Sequence, residues 1–334
     1  MSKIFINGLR DGDSFADLFL AAEKQLRVNK NGNPYVQMEL RDRSGGLSAR
    51  MWNAGDQVFR SFENGDFLRA EGKVQNFQGT LQIVLEHFEK VDTHTVELAD
   101  FMPHTEHNIG QLQDKLRRSL RGFASPHLRA LGELFLMDDA LMRGFSACPA
   151  GIKMHHAYVG GLLEHTVTMM EIAEAVLPFY PGIDRDLVLM GLFLHDLGKV
   201  RELTFTRGFG YSDEGQLVGH LVQGVEMLND KAAEVHGLLG EALPREIHVR
   251  LKHIILSHHG TLEHGSPKVP MTPEAIFIHH LDTMDSRMHM VLRELKDDRL
   301  SATAWTPYHP ANGRRIYKGG LGDLNERGGE AEVY

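Results

Sequence analysis

Leu187 to Leu197 form an apolar run into which a histidine and an aspartate, His195-Asp196, are inserted side by side. The run has the composition of a helix buried on all sides. A carboxylate in such surroundings costs several kcal/mol, or is forced to protonate, unless a positive partner meets it. A chain that keeps Asp196 there must bring cationic groups to it from elsewhere in the fold.

The sequence supplies suitable groups. Of its 20 histidines, fourteen lie between His155 and His289. His165 shares a helical stripe with Leu162, Met169, Ala173 and Val176, and so faces inward. His195 is in phase with Val188 and Gly191, while Asp196, rotated by about 100°, reaches a neighbouring point of the same cavity. His258 follows Leu251 and Ile254, and Asp282 follows Ala275 and Ile278, at the same helical spacings. Phase favours His258 over its neighbour; His259, in phase with Ile255, remains a candidate beside it. One inward histidine is usually a core residue, but four helices each presenting a ligand-type side chain form a site. Imidazole and carboxylate without thiolate suit a divalent metal: Mn2+ first, with Fe, Mg2+, Zn2+ or Co2+ as alternatives. If one carboxylate is shared, two ions about 3.5–4 Å apart can clamp a phosphodiester, activate water and stabilise the leaving oxygen.

The organisation around this core is two-part. Up to about residue 92 the chain alternates in short segments, Ala21–Val28, Tyr35–Leu40, Leu47–Trp52, Phe67–Val74 and Leu81–Leu85. Turn-forming stretches such as Asn31-Gly32-Asn33-Pro34, Ser44-Gly45-Gly46, Asn64-Gly65 and Asn76–Gly79 separate them. Five strands with a short helix near Asp56–Phe59 predict a Greek-key barrel of the OB type. Residues 93–150 read as a helical connector with helices near 109–121 and 128–135. An all-α bundle follows over 151–300, with helices near 155–177, 186–198, 215–230, 244–258 and 273–296. Residues 301–334 form a tail rich in glycine and charge.

The order His165, His195-Asp196, Asp282 resembles the H…HD…D pattern of the HD-domain metal-dependent phosphohydrolases. With Gly219-His220, Leu256-Ser257-His258-His259-Gly260 and His280-Leu281-Asp282-Thr283-Met284-Asp285, and a barrel in front, nearly the whole chain is similar to the YhaM-type 3′–5′ exoribonucleases. The resemblance implies a first ion held by His165, His195, Asp196 and Asp282. Asp196 then bridges to a second ion held by His220 and by His258, His259 or both. It also implies a metal-dependent phosphodiesterase that degrades single-stranded RNA, and possible activity on single-stranded DNA, from the 3′ end.

Lys199, three residues past Asp196, is a candidate catalytic cation for the charge that develops on a phosphoryl group; the bland alternative is a helix C-terminal lysine. Asp285, one turn past Asp282, is either a group that orients a ligand or an ordinary polar residue. On the barrel, Tyr35, Trp52 and Phe77 are candidates for stacking on bases, and Arg50 and Lys73 for following phosphates, alongside Arg41, Arg43 and Arg69. Residues 1–92 carry twelve lysines and arginines against thirteen acidic residues, and the whole chain has net charge −9. This balance argues against a protein that coats nucleic acid by bulk electrostatics and supports a modest substrate-guiding module. Thr206–Tyr211 and the cluster Arg314, Arg315, Tyr317 and Lys318 are further groups suited to substrate. The one cysteine excludes an internal disulfide and any cysteine-based metal site. With no signal-like apolar N-terminus and no membrane-length apolar run, a cytoplasmic enzyme with no membrane partner is expected. Two rival functions share these features: a hydrolase of nucleotides, cyclic nucleotides or dinucleotides, and a non-catalytic nucleic-acid-binding protein.

Overall fold

The structure is a computed structural model that describes residues 3–77, 80–92, 96, 100–152, 156–205, 208–298, 303–309 and 312–319. His155, Gln78, Gly79, Thr206, Arg207 and the tail from Gly320, all named above, lie outside the described residues.

Strands β1 (Ser14–Val28), β2 (Pro34–Asp42), β3 (Gly45–Trp52), β4 (Phe67–Phe77) and β5 (Thr80–Val91) close into a barrel in the order β1-β2-β3-β5-β4. Helix α1 (Asp56–Phe59) lies between the third and fourth strands, as the sequence predicts. Inward residues Phe15, Phe19, Val36, Met38, Leu40, Ala49, Leu68, Val74 and Ile83 fill the interior, with Phe62 beside α1 as a plug. β1 starts earlier than its alternation indicates, at Ser14. Its first half pairs with β4 and its second half with β2, and a register shift between Ala22 and Gln25 turns it from one partner to the other. A second shift, at Gly72, brings β4 so near β5 that a Cβ there would stand 2.3 Å from the Val84 carbonyl oxygen.

Beyond the barrel the chain is helical: α2 (Ile109–Arg121), α3 (Pro126–Leu136), α4 (Asp139–Ala147), α5 (Gly161–Val176), α6 (Arg185–Leu194), α7 (Lys199–Glu202), α8 (Asp213–Val218), α9 (His220–Leu239), α10 (Arg245–Ser257) and α11 (Pro273–Asp297). A two-residue ribbon, β6 (Leu203–Thr204) with β7 (Gly210–Tyr211), separates α7 from α8. One apolar core runs from Leu112 of α2 to Leu281 of α11, so α2–α4 pack into the same body as the later helices. α6 lies at its centre, buried along its length, with Phe193 edge-on to Phe135 and Phe145. Among the described residues no helix is long and apolar enough to cross a membrane.

Three helix boundaries differ from the sequence reading, and each difference builds the site. α5 begins at Gly161, because His156 and Gly160 adopt positive φ and fold 156–160 into a turn. α6 stops at Leu194, and residues 195–198 form a turn in place of a continuous helix. There Gly198 packs on α9 so closely that a Cβ would lie 2.0 Å from the His220 carbonyl oxygen. The helix expected over 215–230 divides at Gly219 (φ +78°), which makes His220 the first residue of α9.

Buried Glu274 ties three ligand-bearing helices together. Its Oε1 accepts from the Asp184 amide at the head of α6 (3.1 Å), and its Oε2 meets Arg250 of α10 at 2.5 Å. Burial opposes the ionised form, but the Arg250 pair and the backbone amides outweigh it and lower its pKa. The folded state thus gains stability that is fully present above the ordinary value of 4.5 and is lost as pH falls through the depressed one. Glu274→Gln is expected to lower unfolding free energy at neutral pH by about 2 kcal/mol. The gap to wild type should close in acid. Urea unfolding at both pH values checks this; a gap that persists in acid would refute the linkage.

Candidate metal centre and nucleic-acid face

The ends of α5, α6, α9, α10 and the middle of α11 converge on one buried cluster. Asp196, in the turn after α6, lies at its centre. Its Oδ1 is 3.5 Å from the Nε2 atoms of both His220 and His258, and its Oδ2 is 3.4 Å from His195 Nε2. Lys199 Nζ donates to Asp196 Oδ2 at 2.6 Å and to the Ala150 carbonyl at 2.6 Å. Burial by itself would raise the Asp196 pKa, but Lys199 and His195 hold it well below the usual carboxylate range. The positive partner demanded by the sequence is therefore Lys199, with imidazoles on the other side.

Two groups of potential ligand atoms flank this carboxylate. Asp196, His220, His258 and His259 place one donor atom each within 4.8 Å of one another, and so do His165, His195 and Asp282. All seven metal ligands expected from the sequence thus come together, His258 and His259 both included. Among the described residues, buried His195 Nε2 and Asp196 Oδ1 find no hydrogen-bond partner, which fits a cation between the imidazoles and carboxylates.

The far side of every imidazole is held. The Nδ1 atoms of His195, His258 and His259 donate to the carbonyls of Leu192 (2.7 Å), Ile255 (2.9 Å) and His264 (3.0 Å). His220 Nδ1 bonds Glu202 at 2.9 Å, and His165 Nδ1 bonds Asp285 at 2.7 Å. With the proton fixed on Nδ1, each Nε2 faces the cavity, the arrangement that orients metal-binding histidines. His165 lies between Asp285 and Asp282, whose Oδ1 is 3.3 Å from its Nε2. Burial disfavours its charge, yet these two carboxylates raise its pKa to about 9. His259 is pushed down to about 3 by burial and by the neighbouring His258 and His220.

Several contributors were not singled out by sequence. Glu202, the last residue of α7, accepts from both the backbone amide (3.0 Å) and the ring of His220. His279 Nδ1 bonds the His258 carbonyl at 2.7 Å, fixing the α10 terminus. His156 links Asp285 (3.1 Å) to the Tyr158 hydroxyl (2.7 Å), and that hydroxyl donates to Glu164. His279 is polar within an apolar segment, whereas Glu202 lies in the charged stretch Lys199–Glu202 and carries no such signal.

On the barrel, Tyr35 and Trp52 are directly paired across β2 and β3, with ring centroids 4.8 Å apart. Trp52 is 40% exposed and Phe77 49%. The Arg50 guanidinium reaches both, 6.0 Å from the Trp52 ring and 5.9 Å from Phe77. Arg50 and Lys73 both register on Val84 of β5, one from β3 and one from β4, so the two cations lie in one cross-strand row.

Comparison with known proteins follows this division. Residues 22–91 match the family model of the OB-fold nucleic acid binding domain, and residues 162–287 match the HD domain. The 3′–5′ exoribonuclease YhaM of Geobacillus sp. (strain WCH70) is 31% identical over 282 residues, which is 84% of this chain and 85% of the relative. YhaM of Bacillus subtilis (strain 168) is 31% identical over 286 residues, 85% of this chain and 88% of the relative. The chain belongs to the YhaM family. In this YhaM-family chain the OB-fold match falls on the barrel bearing Trp52, and the HD match spans every residue from His165 to Asp282.

If Asp196 is shared between two sites, substitutions should separate them. Asp196→Ala is expected to lose both ions, and His259→Ala only the one facing α9 and α10. Metal analysis of the purified variants reads this directly. Full metal content in Asp196→Ala would break the shared-ligand geometry.

Proposed function

We propose that this chain is a metal-dependent exoribonuclease that shortens single-stranded RNA from its 3′ end. Residues 1–92 would guide the strand, 93–150 would connect, 151–300 would carry the chemistry and 301–334 would form the tail. The observation that carries the reading is Asp196, a buried carboxylate set between two histidine-rich ligand groups, in a chain whose relatives are exoribonucleases over most of their length. Two divalent ions, Mn2+ in the first instance, would be held by His165, His195, Asp196 and Asp282 and by Asp196, His220, His258 and His259. When bound, such ions supply Lewis-acid charge to the phosphodiester and lower the pKa of a water molecule.

The remaining work falls to the protein. Glu202, Asp285 and the backbone carbonyls behind each ring hold the imidazoles in place, so little reorganisation accompanies reaction. Lys199 sets a fixed positive charge beside Asp196, where a phosphoryl group gathers negative charge in the transition state. No side-chain nucleophile is needed. Cys148 is buried, and burial pushes its thiol up and keeps it protonated. A buried free thiol also suits a reducing, cytoplasmic compartment. Tyr35, Trp52 and Phe77 would stack on bases, with Arg50 and Lys73 along the phosphates. Stacking is indifferent to the sugar, so single-stranded DNA should bind too, with RNA the preferred substrate.

With Mn2+ and 5′-labelled RNA, wild type is expected to give a ladder that shortens from the 3′ end. Asp196→Asn should abolish it. Internal cuts alone, or none, would reject the exonuclease. Trp52→Ala should raise KM for long RNA about ten-fold, the loss of roughly one stacked base, with kcat changed much less. An equal fall in kcat would instead place Trp52 in the chemical step.

A further inference from the structure

The chain has two tryptophans, and neither is in a core. Tryptophan is strongly buried on average, so two exposed ones call for a reason. Trp52 belongs to the barrel face already described. Trp305 lies far along the sequence, past the catalytic helices, and is 49% exposed. Its setting repeats that of Trp52. It faces Tyr317 across an antiparallel bridge, with ring centroids 5.0 Å apart at 56°, against 4.8 Å and 41° for Tyr35 and Trp52. Tyr317 is itself 56% exposed.

The segment that presents this second pair is a built structure. Thr306 donates its amide to the Ile316 carbonyl (2.9 Å) and accepts the Ile316 amide on Oγ1 (3.0 Å), and the Lys318 amide bonds the Ala304 carbonyl (2.8 Å). The resulting clip is fastened to the end of α11. Lys318 Nζ meets the Asp298 carbonyl oxygen (2.9 Å) and carboxylate (2.8 Å), and Asn312 meets Glu294 at 2.7 Å. Lys318 is thus an anchor, not one of the outward cations its sequence position indicated. Arg314 and Arg315 are exposed on the same clip, with Tyr308 nearby. Glu294 lies twelve residues after the ligand Asp282 on one helix, about 18 Å along its axis.

We infer that the clip formed by residues 303–309 and 312–319 is a second stacking platform for single-stranded RNA, in which Trp305 and Tyr317 receive bases and Arg314 and Arg315 receive phosphates. A paired aromatic surface with adjacent cations is the chemistry that holds unpaired bases and backbone without sequence preference. The inference rests on the exoribonuclease reading, since the clip and the metal centre would engage the same strand. The barrel and the clip would grip it at separate points, so that affinity grows with RNA length.

The two tryptophans allow the platforms to be observed one at a time. In Trp52→Phe, Trp305 is the only tryptophan, and in Trp305→Phe only Trp52 remains. Titration of each full-length, metal-loaded variant with a nuclease-resistant phosphorothioate oligouridine should quench both emissions. Adding Arg314→Ala and Arg315→Ala to the first variant should weaken its titration about ten-fold. The accompanying loss in kcat/KM should be larger for long RNA than for a dinucleotide. Unquenched Trp305 emission beside a quenched Trp52 overturns the platform and leaves the nuclease reading intact. If wild type shortens no RNA, that reading itself fails. A Trp305→Ala variant that changes oligomeric state by light scattering, with RNA affinity unaltered, would make the clip a contact between copies of the chain and likewise overturn the inference.

Discussion

The ion pair between Asp196 and Lys199 is the interaction on which the rest of the site depends. A carboxylate at the centre of a helical core stays ionised only while it is paired, because the same low dielectric that strengthens its attractions makes an unpaired charge prohibitive. Lys199 satisfies one oxygen, at 2.6 Å. The other, Oδ1, is left facing His220 and His258. A carboxylate satisfied on both oxygens would be a structural ion pair. One satisfied on a single side keeps a directed lone pair inside the buried cluster, where it is available to a cation.

This arrangement breaks α-helical hydrogen bonding where the sequence pattern would continue it, the Leu197 and Lys199 amides bonding three residues back to the Leu194 and Asp196 carbonyls. Leu187 to Leu197 reads as one uninterrupted helix, yet the chain turns at 195–198 and restarts at Lys199. The turn lets both His195 and Asp196 point into the cavity, although neighbouring residues on a helix diverge by about 100°. It is held by the approach of Gly198 to His220, which only a residue without a side chain permits. The break at Gly219 does the same for His220. Both breaks occur where local propensity yields to the needs of the centre, and both lie at glycines.

That contrast explains what was legible in the sequence. The barrel strands announce themselves because each has a buried and an exposed face, and the candidate ligands His165, His258 and Asp282 because they are in phase with apolar neighbours. The pairing of β1 with two partners was not legible, since it depends on a register shift within a strand. Nor were the roles of Glu202, His156 and His279 legible. Their partners, the His220 ring, Asp285 and the His258 carbonyl, are 18, 129 and 21 residues away, and no local pattern encodes such distances. Asp285 could be placed one turn from Asp282, but its role follows only from the 2.7 Å bond to His165.

The net charge of −9 then becomes intelligible for a protein that handles a polyanion. Binding by counterion release needs a surplus of lysine and arginine along the strand, and the barrel lacks it. Stacking needs none, because every base has an aromatic face. The acidic groups of the candidate metal centre face Lys199 and imidazoles, not surrounding arginines, and the divalent cations proposed for it would offset them further. Attraction for phosphate is thereby concentrated where the bond is cut. Along the rest of a strand, weak and sequence-tolerant stacking contacts would suffice, and these need no surplus of positive charge.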